Sequence, residues 1–162
     1  MFIFRTIVLG TIFLFIALLA GPWLAMRFDA SFPKFNIGDL RYIGAVIFGI
    51  GSIFSIYCTS ILFIPGKSRP APYDAGGVFI IGGPYRYVRN PFMLGVIVAL
   101  WGEAIYMERL AMIIYALMFT WMIHFWVIFF EEPALKERFS DEYDAYRTAV
   151  PRWFPSFRRY EL

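Results

Sequence analysis

The chain has 162 residues, of which 60% are hydrophobic, 21% aromatic and only 17% charged, with a mean hydropathy of +0.63 and a net charge of +3. A single domain of this length folding in water could not bury that much apolar surface, so the composition excludes an ordinary soluble domain and points to a membrane protein. The one cysteine, Cys58, has no partner for a disulfide or a cysteine-based metal site and reads as a small packed hydrophobe.

Four apolar runs follow in chain order. Thr6–Met26 and Tyr42–Ile64 carry no ionisable carboxylate, lysine or arginine, and Leu110–Phe130 is interrupted only by His124. Each is long enough to cross a hydrocarbon core of about 30 Å at 1.5 Å per residue. Pro91–Met107 is shorter and holds Glu103, and Glu108-Arg109 follows it directly, so it reads as the first arm of a tight helical hairpin. The first run exceeds a usual signal-peptide core and three more follow, which favours a retained span over a cleaved leader. The expected fold is all-α: a polytopic membrane protein with four transmembrane helices and a C-terminal cytoplasmic amphipathic helix. It forms a single domain over 1–162, with two spans in 1–64, a loop in 65–90, the hairpin in 91–130 and a C-terminal helix and tail in 131–162.

Basic residues set the orientation. With four spans, one side holds Arg5, Lys67, Arg69, Arg86, Arg89, Lys136, Arg138, Arg147, Arg152, Arg158 and Arg159, while the other holds Arg27, Lys34, Arg41 and Arg109. This asymmetry places both termini in the cytoplasm. It also accounts for the positive charge without invoking nucleic acid.

The first two spans offer packing features rather than chemistry. Ala17/Gly21 and Ala45/Gly49 are small-xxx-small pairs, and Gly44, Gly51, Ser52 and Ser55 add small surface that lets helices approach closely. The loop 65–90 is unusually long for a helix connection and is read as ordered and functional. It ends in "GGPYRYVRNPF", where Asn90 is suited to an N-cap and Pro91 to the first helical position. The free N–H groups of that helix start, together with Arg86 and Arg89, suit a carboxylate or phosphate.

Glu131-Glu132-Pro133 then suggests that the last span ends near Phe130 and a new helix begins, with Pro133 as its first residue. Glutamates at such a break can meet a ribose diol or an ammonium group, or serve simply as solvated interface charges. Leu135, Phe139, Tyr143, Tyr146 and Val150 form one helical stripe, and Ser140 could restart the helix with its own cap. The tail, with Trp153, Phe154, Phe157, Arg158 and Arg159, suits the lipid headgroup level. His124 lies seven residues before Glu131, two helical turns deeper on the same face, and either bonds to a neighbouring helix or acts as a general base. Glu103 is read as pairing locally with Arg109.

Two of these segments together resemble a known family. "GPYRYVRNP", a helical hairpin, and then "EEPALKERF…EYDAYRTAVPRW" is similar to the isoprenylcysteine carboxyl methyltransferase-like integral membrane methyltransferases, over roughly residues 65–155. The resemblance implies S-adenosylmethionine as methyl donor, held without a soluble dinucleotide-type domain; no G-x-G-x-x-G occurs in the chain. By position it implies cofactor contacts from Val78, Phe79, Ile80, Tyr85, Asn90, Pro91, Phe92, Met93 and Glu131. Arg89 would orient the acceptor or stabilise developing charge, and His124 would be the general base. The acceptor would be a lipophilic or lipid-like molecule entering from the bilayer. Three positions depart from the family pattern: Asn90 stands where His is common, Met93 where Tyr is common, and Val127 where the eukaryotic prenylcysteine enzymes place an arginine. Two other readings stay open, a non-enzymatic four-helix assembly or interaction protein with a degenerate cofactor site, and a nicotinamide-dependent enzyme like the membrane sterol reductases.

Overall fold

The structure is a computed structural model describing residues 2–29, 32, 35–62 and 81–160. Among these the regular elements are helical: α1 (Phe2–Phe15), α2 (Gly21–Arg27), α3 (Arg41–Leu62), α4 (Pro91–Met107), α5 (Leu110–Trp126) and α6 (Glu132–Ala149). Short 3₁₀ turns at Gly38–Leu40 and Gly83–Arg86 precede α3 and α4. Among the described residues, three continuous helical stretches are long and apolar enough to cross a membrane: Gly10–Arg27, Gly38–Ile61 and the stretch beginning at Leu110. The fourth expected span, Pro91–Met107, is equally apolar in character but shorter.

The chain forms two compact units, one built from Met1–Phe54 and Leu94–Met122, the other from Ser55–Met93 and Ile123–Leu162. In the first, α3 and α4 touch backbone to backbone. A Cβ on Gly44 would meet the carbonyl of Gly102 at 2.6 Å, one on Gly102 the backbone nitrogen of Phe48 at 2.3 Å, and one on Gly51 the backbone nitrogen of Ala99 at 2.5 Å. The contacts run in opposite chain directions, so the helices are antiparallel. The packing glycines are seven residues apart, Gly44 and Gly51. The Ala45/Gly49 pair does not take part: a Cβ on Gly49 would meet nothing within 4 Å. The outward face of α3 carries Ile43, Val46, Ile50 and Ile53, all more than half exposed. Small residues inside and large apolar ones outside is the arrangement lipid favours, because lipid gives apolar side chains no reason to turn inward.

Both π-helical turns stand immediately before an X-Pro step. Ile16–Ala20 is wound as a π-turn, with the Gly21 N–H donating to the Ile16 carbonyl, and Pro22 follows. Val127–Glu131 repeats the pattern, with the Glu132 N–H donating to the Val127 carbonyl ahead of Pro133. Proline lacks a donor and its ring collides with the carbonyl four residues back; one extra residue in the preceding turn moves that carbonyl aside and lets the helix run on. At the first π-turn the Tyr115 hydroxyl donates to the carbonyls of Ile16 and Ala17, at 3.3 and 3.1 Å. Tyr115→Phe is expected to cost about 1 kcal/mol, read as a lowered unfolding midpoint in detergent, because it leaves the widened turn's carbonyls without that donor.

The expected break at Glu131 is therefore absent: the helix passes through the Glu-Glu-Pro step because the π-turn accommodates the proline. The departure from helix falls instead at Ser140 (φ 42°, ψ −113°), inside α6. Glu103 also differs from expectation. Arg109 pairs with the buried Asp29 at 2.6 Å, and Oε2 of Glu103 is enclosed with no hydrogen-bond partner among the described residues. The two-residue link between α4 and α5 is fixed by Glu108 (φ 54°), whose side chain accepts from the Ile37 N–H at 2.8 Å and whose carbonyl accepts from Phe35.

Candidate functional site

The second unit gathers most of the residues marked by the sequence. Gly83 takes a positive φ of 55°, a conformation glycine adopts at no steric cost, and this starts the 3₁₀ turn that carries Tyr85 inward. Tyr85 joins a buried cluster with Ile81, Leu135, Tyr143, Tyr146 and Val150, against which Phe139 and Tyr160 pack. The Tyr146 hydroxyl donates to the Tyr85 carbonyl at 2.7 Å. Burial pushes the Tyr85 phenol far above its ordinary pKa, so it stays neutral. The side chains of that one helical stripe are thus what holds the segment 81–90 in place.

Asn90 and Pro91 are buried where α4 begins, and Phe92 and Met93 occupy its first turn. The Phe92 carbonyl accepts from Ser55 Oγ at 3.1 Å. The Asn90 side-chain amide donates to the carbonyl of Arg152 at 3.4 Å. Val78, Phe79 and Ile80 lie outside the described residues.

Opposite the start of α4, Glu132 is buried and accepts from two guanidinium groups. Arg89 Nη1 reaches Oε1 at 2.9 Å, Arg152 Nε reaches the same oxygen at 2.6 Å, and Arg152 Nη2 reaches Oε2 at 2.8 Å. The bidentate bond from Arg152 holds that guanidinium firmly charged, above its ordinary value. Arg89 and Glu132 are each only 10% exposed, so this pair is largely removed from water. The neighbouring Glu131 closes the π-turn, and its Oε2 is enclosed with no hydrogen-bond partner among the described residues. Enclosing a carboxylate oxygen without a donor is unfavourable unless something else supplies one.

His124 Nδ1 accepts from the Trp153 indole N–H at 2.9 Å. That bond places the proton of the neutral ring on Nε2. His124 and Glu131 do not share a helix face, because the π-turn between them costs one residue of phase, roughly 100°.

The structure thus brings Tyr85, Arg89, Asn90, Pro91 and the two glutamates into one unit. It adds Arg152 and Trp153, which the sequence did not single out as site residues. Glu132 was visible as half of an acidic pair, but nothing in the sequence says which glutamate turns toward Arg89. Arg152 and Trp153 sit in a non-helical tail whose route back to residues 86–90 is made by backbone bonds: Arg89 N–H to Pro151 O, Ser156 N–H to Tyr87 O and Tyr160 N–H to Arg86 O, at 2.9, 2.8 and 3.1 Å. Such bonds leave no side-chain pattern.

A family model described as phospholipid methyltransferase matches residues 40–142, well over half of the chain, from α3 through the first part of α6. No curated protein and no solved structure matches the chain. The matched stretch contains Arg89, Asn90, Glu131 and Glu132 and stops short of Arg152 and Trp153. With this match and its long apolar helices, the chain is an integral membrane protein and belongs to the phospholipid methyltransferase family, which also holds the isoprenylcysteine carboxyl methyltransferase-like enzymes.

Proposed function

We propose that this protein transfers a methyl group from S-adenosylmethionine to a lipophilic acceptor that enters from the bilayer. The observation that carries the proposal is the Arg89–Glu132 pair at 2.9 Å, which joins the start of α4 to the Glu-Glu-Pro turn. Beside that pair, Glu131 offers an enclosed carboxylate oxygen in need of a donor. An ammonium group or a ribose diol supplies such donors, and the α4 N-terminus suits the carboxylate of the same ligand. Tyr85, Asn90, Pro91, Phe92 and Met93 would contribute the remaining contacts, with Val78, Phe79 and Ile80 as further candidates from the family resemblance.

The donor supplies an activated methyl group on a sulfonium. The chain's task is then to hold the acceptor in line, exclude water and take up a proton where the nucleophile carries one. Arg89 is assigned to acceptor orientation, with one of its nitrogens fixed by Glu132. Proton uptake at His124 Nδ1 would require the Trp153 bond to break, so we assign His124 to docking the tail. Val127, at the position of an arginine in the prenylcysteine enzymes, is fully buried in the π-turn and offers no charge to an acceptor carboxylate. This favours an amine, thiol, hydroxyl or other lipid-like acceptor within the isoprenylcysteine methyltransferase-like group. We further propose that 1–162 works as one domain with four spans, Pro91–Met107 crossing as a short hairpin arm and both termini in the cytoplasm.

Calorimetric titration of S-adenosylhomocysteine into detergent-purified protein tests the central proposal. Micromolar or tighter binding is expected, weakened at least about tenfold by Glu131→Gln and by Asn90→Ala, each such loss corresponding to about 1.4 kcal/mol. A folded wild type that binds nothing in detergent or lipid would end it.

A further inference from the structure

The C-terminal tail carries a surface that neither the family match nor the candidate cofactor site explains. Phe154 and Phe157 are 83% and 105% exposed. Their exposure is not that of a loose end, because the segment is pinned on its inner side. The Ser156 N–H, between the two phenyl groups, donates to the Tyr87 carbonyl, and Tyr160 N–H donates to Arg86. Arg152 is anchored on Glu132, and the Tyr160 ring packs edge-on against Tyr146. With the backbone held inward at both ends, the two phenylalanines are presented outward in a fixed arrangement, followed directly by the exposed Arg158 and Arg159.

The depth of this surface follows from the Trp153–His124 bond at 2.9 Å. His124 lies within the charge-free run Leu110–Phe130, seven residues before Glu131 and therefore about 10 Å further along the helix toward the bilayer interior. Trp153, bonded to it, shares that level. The tail thus leaves α6 and returns, through Trp153, to the level of His124 on an apolar helix end whose exposed side chains include Phe125, Trp126, Phe129 and Phe130. Aromatic residues at the polar–apolar boundary with arginines just beyond them are suited to a leaflet whose headgroups are negatively charged.

We propose that residues 153–159 form a re-entrant lipid contact in which Phe154 and Phe157 insert at the acyl boundary while Arg158 and Arg159 bind anionic phospholipid headgroups. Through Arg152 and Trp153, this contact fastens the tail over Glu132 and His124. The amount of acidic lipid in the leaflet therefore sets how firmly the tail is docked.

The test uses full-length protein in a Cys58→Ala background, reconstituted in nanodiscs of phosphatidylcholine with or without 30% phosphatidylglycerol. Nitroxide labels are placed singly at Phe154→Cys and Phe157→Cys, with exposed Glu137→Cys as the solvated reference. Power-saturation spectroscopy compares access of oxygen, which partitions into lipid, with that of a water-soluble nickel chelate. With phosphatidylglycerol present, both tail labels are expected to favour oxygen severalfold over the reference label. Arg158→Gln/Arg159→Gln, or omission of the acidic lipid, is expected to move them back toward the reference. Tail labels as open to the nickel chelate as Glu137→Cys, or unchanged by lipid charge and by the arginine substitutions, would overturn the proposal. Both labelled tail side chains lie outside the protein core, and retention of the wild-type unfolding midpoint shows that each labelled protein is folded.

Discussion

Gly102→Val is expected to leave little folded protein in detergent, while Gly49→Ala, also a glycine substitution and on the helix facing it, is expected to be harmless. The two sites differ in what a new side chain meets. At Gly102 the first added carbon already lies 2.3 Å from the Phe48 backbone nitrogen and 2.7 Å from the Gly44 carbonyl. Backbone atoms of a rigid helix cannot turn aside as a side chain can, so α3 and α4 must separate and lose contact along their length. We expect a cost of about 3 kcal/mol or more, at the upper end for overpacked sites. That is a large share of the usual stability of a domain. Gly49 has open space around it, so alanine there relieves glycine's entropic cost in a helix and gains up to about 1 kcal/mol. Denaturant titration of both variants in the same micelle checks the contrast; a tolerated Gly102→Val would mean that the backbone contact is not made.

Removing the Glu132 charge is the second large effect. Glu132→Gln keeps the shape but leaves two guanidinium groups facing each other with no anion between them. Loss of one member of a buried ion pair costs about 3–5 kcal/mol; the lower end is expected here, because the Arg152 side chain keeps 28% of its surface exposed and can turn to water. Arg89 has no such exit. Arg89→Met/Glu132→Leu, which removes the more deeply buried pair together, is expected to recover most of the lost stability. It is not expected to recover S-adenosylhomocysteine binding, since the link between the start of α4 and the glutamate turn then has no polar contact. Thermal unfolding followed in parallel with calorimetric binding separates the two effects. Equal stability of the single and double variants would show that the pair is not coupled.

Apolar runs made the helices legible, since hydrocarbon spans need length and freedom from charge more than any particular pattern. The Gly-Gly and Asn-Pro steps marked the start of α4, and the repeat of Leu135, Tyr143, Tyr146 and Val150 marked a buried face. Ser140 was read as a place where the helix could restart with its own cap, and the non-helical backbone inside α6 falls at that residue. The sequence was misleading where two local rules compete. Pro133 after two glutamates reads as a helix start, but a proline can equally be absorbed by a wider turn before it, and residue types do not decide between these outcomes. Glu103 was matched to Arg109 because they are close in sequence, whereas Arg109 turns to Asp29, eighty residues away. The tail's place beside Arg86–Asn90 was not legible at all, because its docking is made largely by peptide groups.

The widened turn at Val127–Glu131 also bears on how this chain should be compared with its relatives. One surplus residue inside a helix is equivalent to an insertion, although no loop is present to hold it. Where a homologue winds the same stretch regularly, a faithful alignment has to open a one-residue gap in mid-helix. A procedure that keeps gaps for loops will instead slide the C-terminal part by one place. The slip falls on two adjacent glutamates, so it pairs the residue that clasps Arg89 and Arg152 with the one whose Oε2 has no hydrogen-bond partner among the described residues, and the exchange leaves no mismatch in the aligned letters to reveal it.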